Sequence, residues 1–361
     1  MNKINNIRTV VRNFTLNIEL IKILLFTSVI ILLFASCQMR EPKPRVFVFT
    51  DINIDKGDPD DRQSLVHLLW YADELQIEGI VPDRWDAQGM EASIMALEAY
   101  SIDYENHDFK KAGFPETNKL KDLLAKNSND AVDRLYKAAM SGSEEPLYVL
   151  VWGNMLNFGK ALKQHPEISD KIRLITIGTG LKYGPEDEVA GKECNVPNWN
   201  GPGRNEIFED PNFKDMWWLE INWTYNGMFS GEEPKEMFEK LSQYGQMGQH
   251  MKFVTKNQPW AQYFRVGDTP SVLYLIDYTH TPDDPEQSSW AGKFIKPFPE
   301  ERPHYYTDYN GPVEWDYHEP CNTWDNVKAM YAYNKSTLEK ERPGMYKALL
   351  EKLDKIYKEG K

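Results

Sequence analysis

The chain has 361 residues, of which 41% are hydrophobic, and this is enough for one large domain or two small ones. Its formal net charge of −13 at pH 7 disfavours binding to the phosphate backbone of a nucleic acid polymer. An acidic protein of this kind suits a neutral ligand, or a ligand whose binding is assisted by a cation.

The N-terminus has the pattern of a targeting signal. Basic residues come first, and the apolar run ILLFTSVIILLFASC follows and ends in small residues at Cys37. The pattern resembles a bacterial lipoprotein signal peptide over residues 1–36, with residues 37–44 as a short polar tether. It predicts cleavage before Cys37, lipidation of that cysteine and anchoring in the cell envelope, either in the periplasm or at the outer-membrane surface. An uncleaved membrane anchor is the alternative.

Beyond the tether, strand-like and helix-like segments alternate. The strand-like segments are the apolar runs RVFVFT, IEGIV, PLYVLVWG and KIRLITIGTG. The helix-like segments between and after them are RQSLVHLLWYADEL, MEASIMALEAYSIDY, NDAVDRLYKAAMS and MLNFGKALKQHP. Strands that are apolar throughout are typical of a parallel sheet that is buried on both sides. The sequence therefore predicts an α/β fold, with a mostly parallel sheet and helices on both faces.

The second half of the chain is less regular. Residues 182–212 are rich in Gly, Pro and Asn and predict a long loop. MWWLEINWTYNGMF is partly strand-like, PSVLYLIDY is a helix or a buried strand, and residues 282–321 have little periodicity. Amphipathic helices return in the tail. We expect one domain over residues 45–320, with the helices of residues 321–361 packed on it.

An acidic segment, DINIDKGDPDD, joins the first strand to the first helix. Ligands of open α/β sheets bind beyond the carboxyl ends of the strands, where this segment begins. Like charges this close repel each other, and a cation or a shared proton would relieve the repulsion. Carboxylate oxygens without a nearby histidine or cysteine favour calcium or magnesium. The acids are Asp51, Asp55, Asp58, Asp60 and Asp61.

Three interpretations of the acidic segment stay open. The first is a solvated loop whose acids favour the helix dipole. The second is a calcium loop of the EF-hand type, because Asp51, Asn53 and Asp55 alternate. However, the glycine falls one residue late and Arg62 stands where a bidentate glutamate belongs. The third is a metal site for hydrolysis at the end of the strand.

Several blocks resemble a known superfamily. FTDINIDKGDPDDRQSLVHLL is similar to the aspartate cluster of nucleoside hydrolases, in which acids end the first strand and a paired Asp-Asp opens the first helix. LVWGNMLNFGKAL, IRLITIGTG and VGDTPSVLYLI resemble later blocks, in the expected order. DPDDRQSLVHLL, GDTPSVLYLI and PEQSSWAGKF resemble bacterial cellulose-binding proteins with a nucleoside hydrolase-like domain. The resemblance covers residues 45–297 and implies the same fold.

The resemblance also implies a calcium site. Asp60 and Asp61 match the paired acids, and Asp61 is the expected direct ligand. Asp51 matches the strand-end acid that binds the metal and accepts a proton from water, which makes it the expected catalytic base. Asp268 matches the distant metal-binding acid, although a helix N-cap is the alternative role for it. A backbone carbonyl near Trp152 would complete the shell.

Two parts of the implied site have alternatives. The acidic segment is longer than in the simple hydrolase pattern, so Asp55 or Asp58 could replace Asp51 as the base. CNVPNWNGPGRNEIFEDP resembles the clamp that binds sugar hydroxyls, although its first two asparagines could equally be turn residues. The clamp candidates are Asn198, Asn200, Asn205 and Glu206.

One position departs from the nucleoside hydrolase pattern. Those enzymes often place a histidine just before the late acid, where it helps the base to leave, and this chain has Gly267 there. Two classes of function therefore stay open: a calcium-dependent hydrolase of N- or O-linked glycosides, and a carbohydrate-binding lipoprotein without turnover. The ligand is a sugar-containing small molecule or a glycan in either case. Trp152, Trp199, Trp217 and Trp218 either stack on that ligand or belong to the core.

Overall fold

The structure is a computed structural model in which the chain from Pro44 onward forms one compact unit. Cys37 lies outside the described residues, so the signal peptide and the lipidation stay predictions. No helix within the described residues is both long enough and apolar enough to cross a membrane. The described residues are 42–54, 59–179, 203–277, 279–317 and 324–357.

Within the described residues, seven strands form one sheet in the order β2-β1-β3-β4-β5-β7-β6. All neighbouring strands are parallel except β6 and β7, which are antiparallel. The strands are β1 (Arg45–Thr50), β2 (Gln76–Pro82), β3 (Leu147–Val151), β4 (Ile172–Ile177), β5 (Trp218–Ile221), β6 (Phe294–Ile295) and β7 (Tyr305–Asp308).

Helices connect most of these strands, and short 3₁₀ turns complete several of the connections. The α-helices of the described residues are α1 (Asp60–Trp70), α2 (Gly89–Asn106), α3 (Phe109–Ala112), α4 (Thr117–Asp122), α5 (Ser128–Ala139), α6 (Leu156–Gln164), α7 (Arg204–Phe208), α8 (Glu233–Leu241), α9 (Gly245–Val254), α10 (Pro270–Ile276), α11 (Trp324–Glu339) and α12 (Arg342–Tyr357).

Two hydrophobic cores lie on opposite faces of the sheet. Val46 and Val48 of β1 belong to the core that contains residues of α1, α2 and α12. Phe47 and Phe49, the alternating residues of the same strand, belong to the core that contains residues of α5 and α6. Successive side chains of a strand point to opposite faces, so a strand between two cores must be apolar throughout. The predicted α/β fold with helices on both faces is confirmed.

Two irregular regions contain structure that their sequence did not predict. Residues 182–212, predicted as a loop, include α7 and a 3₁₀ turn over Pro211–Phe213. Residues 282–321, which show little periodicity, contribute β6 and β7 to the sheet. These elements are too short for a periodic pattern, and contacts with residues distant in sequence determine them.

A buried ion pair fixes α7 against the sheet. Arg204 of α7 donates from Nε and Nη2 to the two carboxylate oxygens of Glu220 in β5, at 2.8 and 2.7 Å. The hydroxyl of Tyr305 in β7 donates to the same carboxylate at 2.5 Å. Arg204 is 1% exposed and Glu220 is fully buried. This buried ion pair therefore joins the sheet to α7, the helix that carries two of the predicted clamp residues.

The C-terminal helix α12 packs on the start of the domain. Lys352 donates to Asp73 and Glu74, just after α1, at 2.5 and 2.6 Å. The hydroxyl of Tyr357 donates to the buried carboxylate of Asp103 in α2 at 2.7 Å. These contacts place the end of the chain against its first two helices.

Substituting Glu220→Gln should destabilise the protein, because it removes the negative charge that compensates Arg204. We expect the free energy of unfolding to fall by about 3 kcal/mol or more, since a buried guanidinium would lose its counter-charge. Urea unfolding of the full-length protein measures the change. The control is Asp283→Asn, which breaks a more exposed pair with Arg173 and should cost less than about 1 kcal/mol. Equal losses in the two variants would contradict the expectation.

Candidate functional site

Acids from the early and late parts of the chain meet at the carboxyl end of the sheet. Asp60 and Asp61 open α1, and Asp268 lies two residues before α10. Each of the three offers a carboxylate oxygen, and these oxygens all lie within 4.8 Å of one another. Asp61 and Asp268 are buried, with exposures of 6% and 3%. The structure thus brings together the paired acids and the distant acid that the resemblance implied.

Asp61 is an acid in an unfavourable electrostatic environment. Burial raises its pKa well above the ordinary range, and the negative charges of Asp268, Asp51 and Asp60 raise it further. The Asp51 side chain also lies within hydrogen-bonding distance of Asp61, which raises the pKa of Asp61 as well. Thr50 donates from its hydroxyl to the other side of Asp61. Without a cation, a shared proton is the available way to relieve the repulsion.

The backbone around Asp51 allows this close approach. Asp51 follows β1 directly, and Gly153 follows β3, the neighbouring strand. A Cβ atom at Gly153 would lie only 2.8 Å from the Cβ of Asp51, so any larger residue there would displace the acid. Asp51 occupies the space that a side chain at position 153 would need, and this explains why Gly153 is a glycine.

Trp152 connects β3 to the segment that carries Asp268. Its indole nitrogen donates to the Ser271 hydroxyl at 2.8 Å, and that hydroxyl donates to the Asp268 carbonyl at 2.7 Å. Trp152 is 1% exposed, so its ring belongs to the core and does not face a ligand. The role of a backbone carbonyl at this position stays a prediction. Trp217 and Trp218 are also core residues, and Trp199 lies outside the described residues.

The predicted sugar clamp is only partly described. Asn198 and Asn200 lie outside the described residues, as do the alternative bases Asp55 and Asp58. On α7, the side-chain oxygen of Asn205 accepts from Arg204 at 3.3 Å. The other described candidate, Glu206, is exposed and pairs with Lys163 of α6 at 2.5 Å. The assignment of all four candidates as sugar ligands stays a prediction.

Gly267 lies directly against the cluster. A Cβ atom there would be 2.9 Å from Oδ2 of Asp60 and 3.5 Å from ring atoms of Tyr225 and Phe229. Burial raises the pKa of the Tyr225 hydroxyl, and the charges of Asp60 and Asp268 raise it further. Aromatic rings therefore border the position at which nucleoside hydrolases often carry a histidine.

Asp83 is an acid of this site that the sequence analysis missed. It follows β2, and its backbone N–H donates to the Thr50 carbonyl at 2.8 Å, beside Asp51. Asn157 donates to its Oδ1 at 2.6 Å, while Oδ2 is buried without a hydrogen-bond partner. Burial raises the pKa of Asp83 to about 7, against the lowering effect of Asn157 and with a further rise from Asp51. The sequence could have indicated Asp83, because it follows the strand-like VP of β2 just as Asp51 follows β1, and ligands bind beyond the carboxyl ends of such strands.

A mostly parallel α/β sheet whose strand ends gather aspartates from both parts of the chain defines a nucleoside hydrolase-like protein. Residues 45–294 match the family model described as cellulose-binding Sde182, nucleoside hydrolase-like domain. The chain belongs to this family. Comparison with the curated proteins gives no match.

The chain is similar to solved structures. A nucleoside hydrolase-related hypothetical protein from Saccharophagus degradans, associated with carbohydrate metabolism, matches 87% of this chain and 72% of its own, with a TM-score of 0.57 and 16% identity. An inosine-uridine preferring nucleoside hydrolase from Bacillus anthracis matches 81% of this chain and 99% of its own, with a TM-score of 0.45 and 15% identity. At these identities the likeness concerns the fold alone.

The raised pKa of Asp83 predicts a pH dependence of stability. Below the ordinary pKa of 3.8, the Asp83 carboxyl group is protonated in both the folded and the unfolded protein, so its raised pKa does not lower the free energy of unfolding. The cost grows as the pH rises towards about 7 and is complete above that value. Asp83→Asn should therefore stabilise the metal-free protein at pH 8, by on the order of 2 kcal/mol, and leave it unchanged near pH 4.

Thermal unfolding of the metal-free, full-length protein across this pH range measures the effect. Asp122→Asn, which changes an exposed acid, is the control. A stabilisation by Asp83→Asn that is equally large at pH 4 would disprove titration of Asp83 as the cause.

Proposed function

We propose that the chain is a calcium-dependent hydrolase of glycosidic bonds, with a sugar-containing small molecule or a glycan as its substrate. The observation that carries the proposal is the convergence of Asp60, Asp61 and Asp268, with Asp51 within hydrogen-bonding distance of Asp61. Lipid anchoring through Cys37 in the cell envelope belongs to the proposal and rests on the sequence pattern alone.

The acid cluster fits a hard divalent cation. Its donors are carboxylate oxygens, which calcium and magnesium prefer over nitrogen or sulfur. Burial raises the pKa of Asp61, three neighbouring acids raise it further, and a bound cation would reverse that balance. Asp60, Asp61 and Asp268 would hold the ion, and Asp51 lies within hydrogen-bonding distance of Asp61.

The chemistry that bound calcium supplies is a fixed positive charge, which orients water and the vicinal hydroxyls of a sugar. Asp51, at the edge of the cluster, would accept the proton of the attacking water. Positive charge develops at the anomeric carbon as the glycosidic bond breaks, and the surrounding carboxylates stabilise it. Asp83 holds its proton up to about pH 7 and is our candidate for donating a proton to the leaving group, since Gly267 provides no acid.

Calcium should stabilise the protein, and the stabilisation should depend on Asp61. Titrating calcium into the metal-free, full-length protein should raise its unfolding temperature, because the ion binds the folded state. Asp61→Asn should weaken calcium binding by about 100-fold, which calorimetric titration measures. Asp122→Asn removes an exposed acid and should leave the affinity unchanged. Unaltered affinity in the Asp61 variant would show that the ion binds elsewhere.

A strip of aromatic residues favours glycan binding as the second candidate function. The rings of Tyr225 and Phe229 lie 6.1 Å apart, and those of Phe229 and Tyr263 lie 6.5 Å apart. The guanidinium of Arg265 lies 4.4 Å from the Phe229 ring and 5.5 Å from the Trp260 ring, and Trp260 is 57% exposed. Because Tyr225 borders the acid cluster, the aromatic strip leads from the cluster to the surface. The exposed ring of Trp260 is suited to the apolar face of a sugar.

Turnover assays separate the two functions. We expect the full-length protein to release sugar from a panel of nucleosides and aryl glycosides in calcium, and to stop when a chelator is added. Asp51→Asn should lower kcat by about 10²–10⁴-fold, because it removes the proton acceptor. The conservative variant keeps the size and hydrogen bonding of the side chain.

The opposite outcome would support the binding protein. In that case no substrate of the panel is turned over, yet oligosaccharides bind, and Trp260→Ala weakens their binding. Met140→Ala, which truncates an exposed side chain at the end of α5, is the control for the tryptophan variant.

A further inference from the structure

A separate cavity of about 420 Å³ lies beside the acidic segment. Asn53 and Pro59, which flank the central part of that segment, form one wall. Phe253, at the end of α9, and Lys256, just after it, form another. Arg62, on the first turn of α1, completes the lining. We refer to this space as the Arg62 cavity.

Arg62 is a buried cation, and no acid within the described residues forms an ion pair with it. It is 7% exposed, and its Nε atom is buried without a hydrogen-bond partner. The recorded neighbours of its guanidinium are the Met95 sulfur, 3.9 Å from Nη2, and the Phe253 ring, whose centre lies 5.9 Å away. Burial lowers the pKa of His250 to about 4, with a smaller contribution from the charge of Arg62, so the His250 side chain is neutral at pH 7.

The rest of the lining suits an anion. A second cation, Lys256, is exposed at the cavity, and the neighbouring Asn257 adds an amide. Phe253 is 54% exposed and offers an apolar face beside the two positive charges. A buried guanidinium without a counter-charge is unfavourable, and its planar donors match the oxygens of carboxylate or phosphate groups. Arg62 and Lys256 are opposite in sign to the net charge of the chain, which is −13.

We propose that the Arg62 cavity binds a small anionic ligand. Arg62 and Lys256 hold its carboxylate or phosphate oxygens, and an apolar face of the ligand lies on Phe253. An acidic sugar and a sugar phosphate share this chemistry. The cavity also adjoins the acid cluster, because the side-chain amide of Asn53 donates to the Asp51 carbonyl at 3.2 Å.

Calorimetric titration of the full-length protein tests the proposal. The protein is first freed of calcium by chelation and dialysis, so that the acid cluster cannot bind a sugar through a metal. The probes are D-glucuronate, inorganic phosphate and D-glucose as the neutral match. We expect saturable binding of at least one anion and none of glucose. Binding of glucuronate alone identifies a carboxylate ligand, and binding of phosphate alone identifies a phosphate group.

Three variants locate the binding. Arg62→Gln and Lys256→Gln should each weaken anion binding by about tenfold or more, because each removes a charge-assisted hydrogen bond. Lys252→Gln, an exposed residue of α9 outside the cavity wall, should leave the affinity unchanged. If the buried Arg62 variant fails to fold, the exposed Lys256 variant still decides the question.

Two results would overturn the proposal. One is the absence of saturable anion binding, or affinities that neither Arg62→Gln nor Lys256→Gln changes. The other is binding that arises only after the double substitution of Asp55→Asn and Asp58→Asn, which would show that the chain's own carboxylates neutralise Arg62.

Discussion

The repulsion between carboxylates at the carboxyl end of the sheet is the constraint on which the site depends. Two unit charges about 4 Å apart at a protein surface repel by about 4 kcal/mol, and burial of Asp61 adds to the cost. The fold tolerates this cost because a hydrogen bond from Thr50 fixes Asp61, and Trp152 ties the segment of Asp268 to β3. The clustered carboxylates destabilise the fold when no cation is bound and become favourable when a cation neutralises them, as expected of a metal site.

The rim of the site depends on a second buried acid. Asp308, at the end of β7, accepts hydrogen bonds from the backbone N–H groups of residues 222–224, at 2.6, 3.1 and 2.8 Å. Burial raises the pKa of Asp308 to about 6, although these three donors oppose the rise. The hydrogen bonds fix the turn that follows β5, and this turn places Tyr225 beside Asp60. The position of the aromatic strip is therefore set by the strand that the sequence analysis did not predict.

Local sequence patterns predicted the strands of the first half of the sheet and the acid that follows the first of them. The strands β1 to β4 are recognisable in the sequence as apolar runs, because each strand is covered on both faces. Asp51 is predicted at the site because it directly follows the end of β1. The meeting of Asp268 with Asp60 came only from the resemblance, since no spacing in the sequence shows it. Features made by single distant contacts, such as the pair of Arg204 with Glu220 and the three donors to Asp308, had no local signal.

The balance between hydrolysis and binding turns on what surrounds Gly267. A side chain there would crowd Asp60, so the chain cannot simply regain a histidine without moving the acid or the rings of Tyr225 and Phe229. The side of the cluster that would meet the leaving group is therefore aromatic, and an aromatic wall suits a sugar as well as a base. Binding alone does not require a carboxylate at Asp51, whereas activation of water requires such a proton acceptor. The acid set thus favours a hydrolase, and the aromatic wall favours a glycoside as its substrate.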